Sequence, residues 1–264
     1  MTTAFSKGRA IVVAAIIALF AVPIGVAVPA VAAPPPAVAV AKYVALGDSY
    51  AAGQGTGVYV NACLQSPLGY PALLDAVPRV NLLRNASCTG ADFEDLDAQL
   101  AQINRGTTLV TLTMGANGVN LPGLLAACVP DPTATPCLAA LAAANTYLST
   151  ELGPETGAAI AAISSRSPNA RIVVTGYPLP LAPGVADGVN LGAATLNAVL
   201  NGTVAAAQAQ GANVVFADVT LAFLGHGAFG PDPWLGQDPG NVETFLHPNA
   251  AGYQAYAAVI EAVR

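Results

Sequence analysis

Five short apolar runs, each followed by a stretch with helical spacing, constrain this chain more than any other feature. The runs are 42–47 (KYVALG), 81–87 (NLLRNAS), 108–114 (TLVTLTM), 171–176 (RIVVTG) and 213–219 (NVVFADV). Continuous apolar runs rich in β-branched residues read as buried strands. Residues 92–103 place Phe93, Leu96, Leu100 and Ile103 at helical spacing. Residues 139–150 and 156–165 read as one or two helices, 191–210 as another, and 249–263 as the last, with Tyr253, Tyr256, Val259 and Ile260 on one stripe. Such alternation implies parallel β-α-β units with right-handed crossovers, covered by helices on both faces. The expected fold is therefore a three-layer α/β/α sandwich with about five parallel strands. In such sheets the functional site lies at the carboxyl ends of the strands. Residues 129–136 and 224–242, rich in Gly, Pro and Asp, are expected loops.

The N-terminus reads as an export signal. Lys7 and Arg9 precede an apolar stretch that Pro23 interrupts and small residues end, at Ala30-Val31-Ala32-Ala33. That order predicts a cleaved signal peptide over 1–33, an Ala/Pro/Val linker over 34–41 and one domain over 42–264. An uncleaved membrane anchor is the competing reading, because the stretch approaches the ~20 residues that span a bilayer. Only 9% of the residues are charged and the net charge is −6. With no cluster of Lys or Arg, the chain carries no electrostatic footprint for nucleic acid.

Four cysteines in an exported chain read as two disulfides. Three connectivities are possible; Cys63–Cys88 and Cys128–Cys137 are expected, the second closing a short proline-rich loop. A zinc site is a poor reading, since there is no C-x-x-C pair and the chain has two histidines. Residues 53–57 (GQGTG) lack the ending of a P-loop and the spacing of a dinucleotide fingerprint, and read as a rim of the site. No cofactor is expected.

Gly47-Asp48-Ser49-Tyr50 sits where the first strand stops and a helix can begin. By itself this is an ordinary Asp/Ser helix cap. Three further segments change the balance: Cys88-Thr89-Gly90-Ala91 after the second strand, Gly115-Ala116-Asn117 after the third, and Thr244-Phe245-Leu246-His247-Pro248 before the last helix. All four can converge on one edge of the sheet. This pattern resembles the GDSL-type SGNH hydrolase family, named for one Ser, Gly, Asn and His in four separated blocks. The match runs from about Tyr43 to the C-terminus, and the cysteine layout is similar to that of secreted actinobacterial lipases and esterases.

The resemblance implies the flavodoxin-like α/β/α fold and a secreted serine ester hydrolase. Ser49 is its nucleophile and His247 its general base. The backbone N–H groups of Ser49 and Gly90 and the side-chain amide of Asn117 form the oxyanion hole. The implied partners are a small-molecule or lipid ester, with transient contact at a lipid interface, for a monomeric enzyme. His226, the other histidine, reads as a solvated loop residue, and Asp48 as a cap.

Two positions depart from the family. The family places an aspartate three residues before the histidine, where this chain has Thr244. A backbone carbonyl can replace it, and some secreted members use one. The expected orienter of His247 is the Thr244 carbonyl, with Glu243 as runner-up and Asp232 and Asp238 behind. Gly118 stands where the family often carries aspartate. Two other functions compete: a polysaccharide acetyl esterase, and a non-catalytic cell-surface binding domain that kept the fold. A single tryptophan, Trp234, is few aromatics for a sugar-binding cleft.

Overall fold

The computed structural model describes residues 1–3, 39–128, 131 and 133–264. The expected export signal falls outside the described residues apart from its first three, as does the linker up to residue 38. Among the described residues, no helix is long and apolar enough to cross a membrane.

The five expected strands form one parallel sheet. They are β1 (Ala41–Gly47), β2 (Val80–Asn85), β3 (Leu109–Thr113), β4 (Arg171–Thr175) and β5 (Val214–Ala217). Their spatial order is β2-β1-β3-β4-β5, every pair parallel. Ala41, read as the last linker residue, already pairs with Val80 in the sheet.

Alternate strand residues serve opposite faces, as the pleat requires. Val44, Leu46, Val110, Leu112, Ile172 and Val174 enter one apolar cluster, with Leu152, Ile160 and Leu200. Tyr43, Ala45, Leu109 and Val173 enter the other, with Tyr70, Tyr253 and Tyr256. The first face is covered by α3 (Leu96–Leu100), α6 (Leu152–Arg166) and α7 (Asp187–Ala209), the second by α2 (Tyr70–Asp75) and α8 (Ala250–Val263). The three-layer sandwich is thus complete.

Threonines in the buried strands find hydroxyl partners on the second face. Tyr43 Oη lies 2.8 Å from Thr111 Oγ1, Tyr70 Oη 2.7 Å from Thr113 Oγ1, and Tyr256 Oη 2.9 Å from Thr175 Oγ1. Buried hydroxyls need such partners to offset lost hydration.

Three elements differ from the sequence reading. The helix expected over 92–103 shrinks to α3, because Asp92 accepts from the Glu94 N–H at 2.9 Å and holds the preceding segment as a turn. The helices expected from residue 139 begin earlier. α5 (Thr135–Thr146) takes in Pro136 from the expected loop, a proline being tolerated in a first helical turn. A π-helical turn (Tyr147–Glu151) joins α5 to α6, and α4 (Leu121–Cys128) precedes them, where no helix was expected. The long segment before α8 stays irregular but is held by isolated bridges, Leu235 with Pro248 and Gly236 with Phe245.

Candidate active site

β1 delivers Ser49 to the carboxyl edge of the sheet through a tight turn. Gly47 has φ +137°, and a Cβ there would stand 2.1 Å from the Thr113 carbonyl oxygen. Only glycine allows that approach. Asp48 then caps α1 (Ser49–Ala52), its carboxylate accepting from the Tyr50 N–H at 2.9 Å and from the Tyr177 hydroxyl. Burial pushes its carboxyl up to about 7, against the pull of those bonds. Asp48 is a cap, as its sequence position implied.

Ser49 and His247 meet directly. Oγ of Ser49 lies 2.9 Å from Nε2 of His247, across 198 positions of sequence. On the other side of the ring, Nδ1 lies 2.9 Å from the carbonyl oxygen of Phe245. With Nδ1–H donating to that carbonyl, Nε2 presents its lone pair to the serine hydroxyl. Burial pushes the imidazole down to about 4, opposed by the Phe245 contact.

The carbonyl at the ring is therefore that of Phe245, not of Thr244 as expected. The Thr244 carbonyl accepts instead from the backbone N–H of His247 at 3.0 Å, closing a β-turn. That turn holds Leu246 at φ +57°, uncommon for a side chain with a Cβ. Leu246 is kept there by its N–H to Gly236 O, 2.9 Å, and by Tyr50 Oη donating to its carbonyl, 2.5 Å.

The runner-up carboxylates are engaged elsewhere. Glu243 lies near the Tyr59 hydroxyl and, after burial, helps push it up. Asp238 accepts from the Gly240 N–H at 2.9 Å. Asp232 lies 3.2 Å from Nδ1 of His226. His226 itself is not a solvated loop residue. Its ring stacks on Trp234 with centroids 3.5 Å apart, and Trp234 in turn meets Phe223 edge-on.

Gln54 does more than shape a rim. It is 5% exposed, and its amide nitrogen donates to the carbonyls of Glu243 (3.0 Å) and Val242 (3.3 Å) in the histidine loop. Its amide oxygen accepts from the Thr89 hydroxyl, and its own carbonyl accepts from Tyr253 Oη at 2.7 Å. One side chain thus ties the serine helix to the glycine block and to the histidine loop. Gly55, at φ +102°, lies so close that a Cβ would meet His247 Cβ at 2.8 Å.

Gly90 lies in a loop anchored by Cys88 N–H to Gly47 O, 3.1 Å, and by the Cys63–Cys88 disulfide. It has φ +75° and is exposed. The other disulfide is Cys128–Cys137, so both pairs are those expected. Asn117 opens a 3₁₀ turn after β3, and its amide donates to Ala91 O at 2.8 Å, leaving its second N–H for another acceptor. Gly118 has a physical reason here: a Cβ on it would fall 2.2 Å from the ring of Tyr147, which fills the space an aspartate side chain needs.

A serine hydroxyl 2.9 Å from an imidazole nitrogen, at the carboxyl edge of a parallel α/β/α sheet, is an arrangement that can support acyl transfer. The chain belongs to the GDSL-like Lipase/Acylhydrolase family, matching it over residues 45–255. It is 34% identical to a lipase of Streptomyces rimosus over 82% of this chain and 84% of that one. Lipase 1 of Streptomyces coelicolor is 32% identical, over 80% and 81%. The solved extracellular lipase of S. rimosus superposes with TM-score 0.73 at 33% identity, covering 85% of this chain and all of that one. Phospholipase A1 of Streptomyces albidoflavus superposes with TM-score 0.75 at 28% identity, covering 86% of this chain and all of that one. The protein is a carboxylic ester hydrolase, which sets aside the reading as a non-catalytic surface domain.

Proposed function

We propose that the chain is an exported monomeric enzyme that hydrolyses lipid esters, with Ser49 as nucleophile and His247 as general base. The observation that carries this reading is the 2.9 Å contact between Ser49 Oγ and His247 Nε2, with Nδ1 held by the Phe245 carbonyl. As Ser49 Oγ bonds to the ester carbonyl carbon, its proton passes to Nε2. The tetrahedral oxyanion is held by the N–H of Ser49, the N–H of Gly90 and the free amide hydrogen of Asn117. Ser49 opens its helix, so its N–H has no acceptor within that helix. Collapse of the tetrahedral species breaks the bond to the alcohol, which takes the proton back from Nε2. Water then repeats the sequence on the acyl-enzyme and frees the acid.

The Phe245 carbonyl fixes the tautomer and bears part of the imidazolium charge, the two services a carboxylate gives in a triad. A lipid ester as substrate is supported by the S. rimosus lipase and the S. albidoflavus phospholipase A1 among the relatives. Export is supported by the signal-like residues 1–33 and by the two disulfides, which persist in oxidising compartments.

The test is a panel of p-nitrophenyl esters of graded chain length and of acetylated polysaccharide, with a fluorophosphonate probe alongside. Turnover of acyl esters and labelling lost in Ser49→Ala are expected. Labelling that persists in Ser49→Ala sinks the nucleophile assignment. Release of acetate from polysaccharide with no turnover beyond acetyl esters replaces the lipid reading with the carbohydrate one. For export, the mature N-terminus in culture medium is expected near residue 34.

A further inference from the structure

Among the described residues, charge is sorted between the two ends of the strands. Lys42 stands at the start of β1, Arg171 at the start of β4, and Arg79 and Arg105 just before β2 and β3. Arg166 ends α6, and Arg264 follows α8, whose Val263 carbonyl accepts from Arg171. All six therefore lie at the amino edge of the sheet. Arg84 is the one other cation, level with Val44 midway along the outer strand β2. The acids lie the opposite way. Of the fifteen, only Asp75, at the end of α2, and Glu261, bound to Arg264, belong to the amino edge. The others fall in the segments beyond the carboxyl edge or in the first turns of the helices that follow them.

Helix polarity explains only part of this sorting. Acids at helix starts and bases at helix ends answer the macrodipole. Asp97, Glu155 and Asp187 stand in first turns, and Arg166 and Arg264 at helix ends. Glu94, Asp218, Asp238 and Glu243 answer no helix start, and the four cations of the strand starts answer no helix end.

Carboxylates border each part of the site. Glu243 lies near the Tyr59 hydroxyl, which accepts from the N–H of Gly55 at 3.1 Å, and Gly55 packs against His247. Asp95 and Gly90 line one cavity of about 520 Å³. Beside Asn117, the Tyr147 ring covers Gly118 and its hydroxyl faces Glu155. Burial pushes the Glu155 carboxyl up. The Tyr147 hydroxyl opposes that push, and the charges of Glu151, Asp92 and Glu94 add to it.

We propose that this charge polarity sets the substrate class: the enzyme favours esters that are neutral or carry a cation over esters that also carry an anion. This rests on the serine ester hydrolase reading above. Carboxylates on three sides of Ser49 and His247 raise the local concentration of a cation and lower that of an anion. The field needs no ion pair, so it acts on a charge several carbons away from the ester. It reaches ~10 Å at 0.1 M salt and ~3 Å at 1 M. The preference therefore belongs to low salt and fades as salt rises.

The test measures kcat/KM of the full mature enzyme on three p-nitrophenyl esters of one chain length: the hexanoate, the 6-(trimethylammonio)hexanoate and the monoester of adipate. Both charged esters lose an apolar chain end, so their ratio isolates the sign of the charge. The cationic ester is expected to exceed the anionic one about fivefold at ~50 mM salt and less than about twofold at ~1 M. Glu94→Lys/Glu151→Lys reverses two exposed charges near Glu155. It is expected to lower the low-salt ratio about threefold and to leave hexanoate turnover within about twofold. Arg105→Glu/Arg166→Glu, exposed at the amino edge, should leave the ratio within about 1.5-fold. Should Glu94→Lys/Glu151→Lys fail to fold, Glu94→Gln/Glu151→Gln carries the test, with a shift of about twofold. A ratio near one at low salt, or one that neither salt nor the changes at 94 and 151 move, overturns the proposal. So does an equal shift from the amino-edge pair, since net charge rather than its placement would then decide. Hexanoate turnover that survives Ser49→Ala overturns the mechanism beneath it instead, so the two failures are distinct.

Discussion

Gln54 and Leu124 belong to two neighbourhoods built by opposite means. Gln54 is 5% exposed, both ends of its carboxamide are bonded, and the loops it joins are 188 or more positions away or belong to the glycine block. Leu124 is half-buried in a helix with no buried residue, in a stretch nearly free of charge. The first neighbourhood positions Ser49 and His247, the pair proposed to react, where misplacement by 1 Å can cost about 10²-fold. The second is held by partial packing and by the Cys128–Cys137 bridge.

Changes on the bonded side should strike activity on every ester, and changes on the open side should strike stability more than activity. Ser49→Ala is expected to lower kcat by about 10⁴–10⁶ on every ester, with an unchanged melting temperature. Gln54→Ala comes next, with kcat/KM down about 10–100-fold on acetate and octanoate equally, because the histidine loop loses its tie to α1. It also lowers stability by about 1–3 kcal/mol, measured by urea unfolding, since buried partners lose their bonds. A loss of stability with kcat/KM unchanged would dissolve the distinction between the two neighbourhoods.

The disulfides divide the same way. Each closes a short loop and stabilises by roughly 2–4 kcal/mol. Opening Cys63–Cys88 by Cys→Ala at both positions should lower activity on all chain lengths, as the glycine block loosens. Opening Cys128–Cys137 should lower stability and leave kcat/KM within about threefold.

Acid sharpens the contrast further. In the proposed mechanism the base must be neutral, and burial holds His247 near 4, below its ordinary 6.5. The acid limb of kcat/KM is expected to have its midpoint nearer pH 4 than pH 6.5, for short and long esters alike. Over the same window the unfolded histidine takes up a proton before the folded one does. Its contribution to stability is therefore present above about pH 6.5 and is lost as pH falls towards 4. The smallest effect belongs to Glu243→Gln, whose carboxylate meets Tyr59 rather than His247. Less than threefold change in kcat is expected, and a loss of orders of magnitude would move the orienting role from the Phe245 carbonyl to Glu243.

Much of this was legible along the chain. The strand runs were readable because a strand buried on both faces must be continuously apolar. The four blocks were readable because each sits at a strand end or helix entry. Phe245 was missed by one residue, since which carbonyl meets an imidazole depends on the turn that Thr244 closes. Gln54 passed for a rim residue, because nothing between two glycines signals that Val242, Glu243 and Thr89 lie within its reach.

By itself, then, the sequence determined the sheet, its two covered faces, the serine turn and the order of the four blocks, all properties of local periodicity and spacing. Tertiary structure decided which carbonyl faces His247, why residue 118 is glycine beneath the Tyr147 ring, and that α4 is only partly buried. Each of those is an approach between residues that neither pattern nor propensity relates. Their outcome is set by the packing of the whole domain.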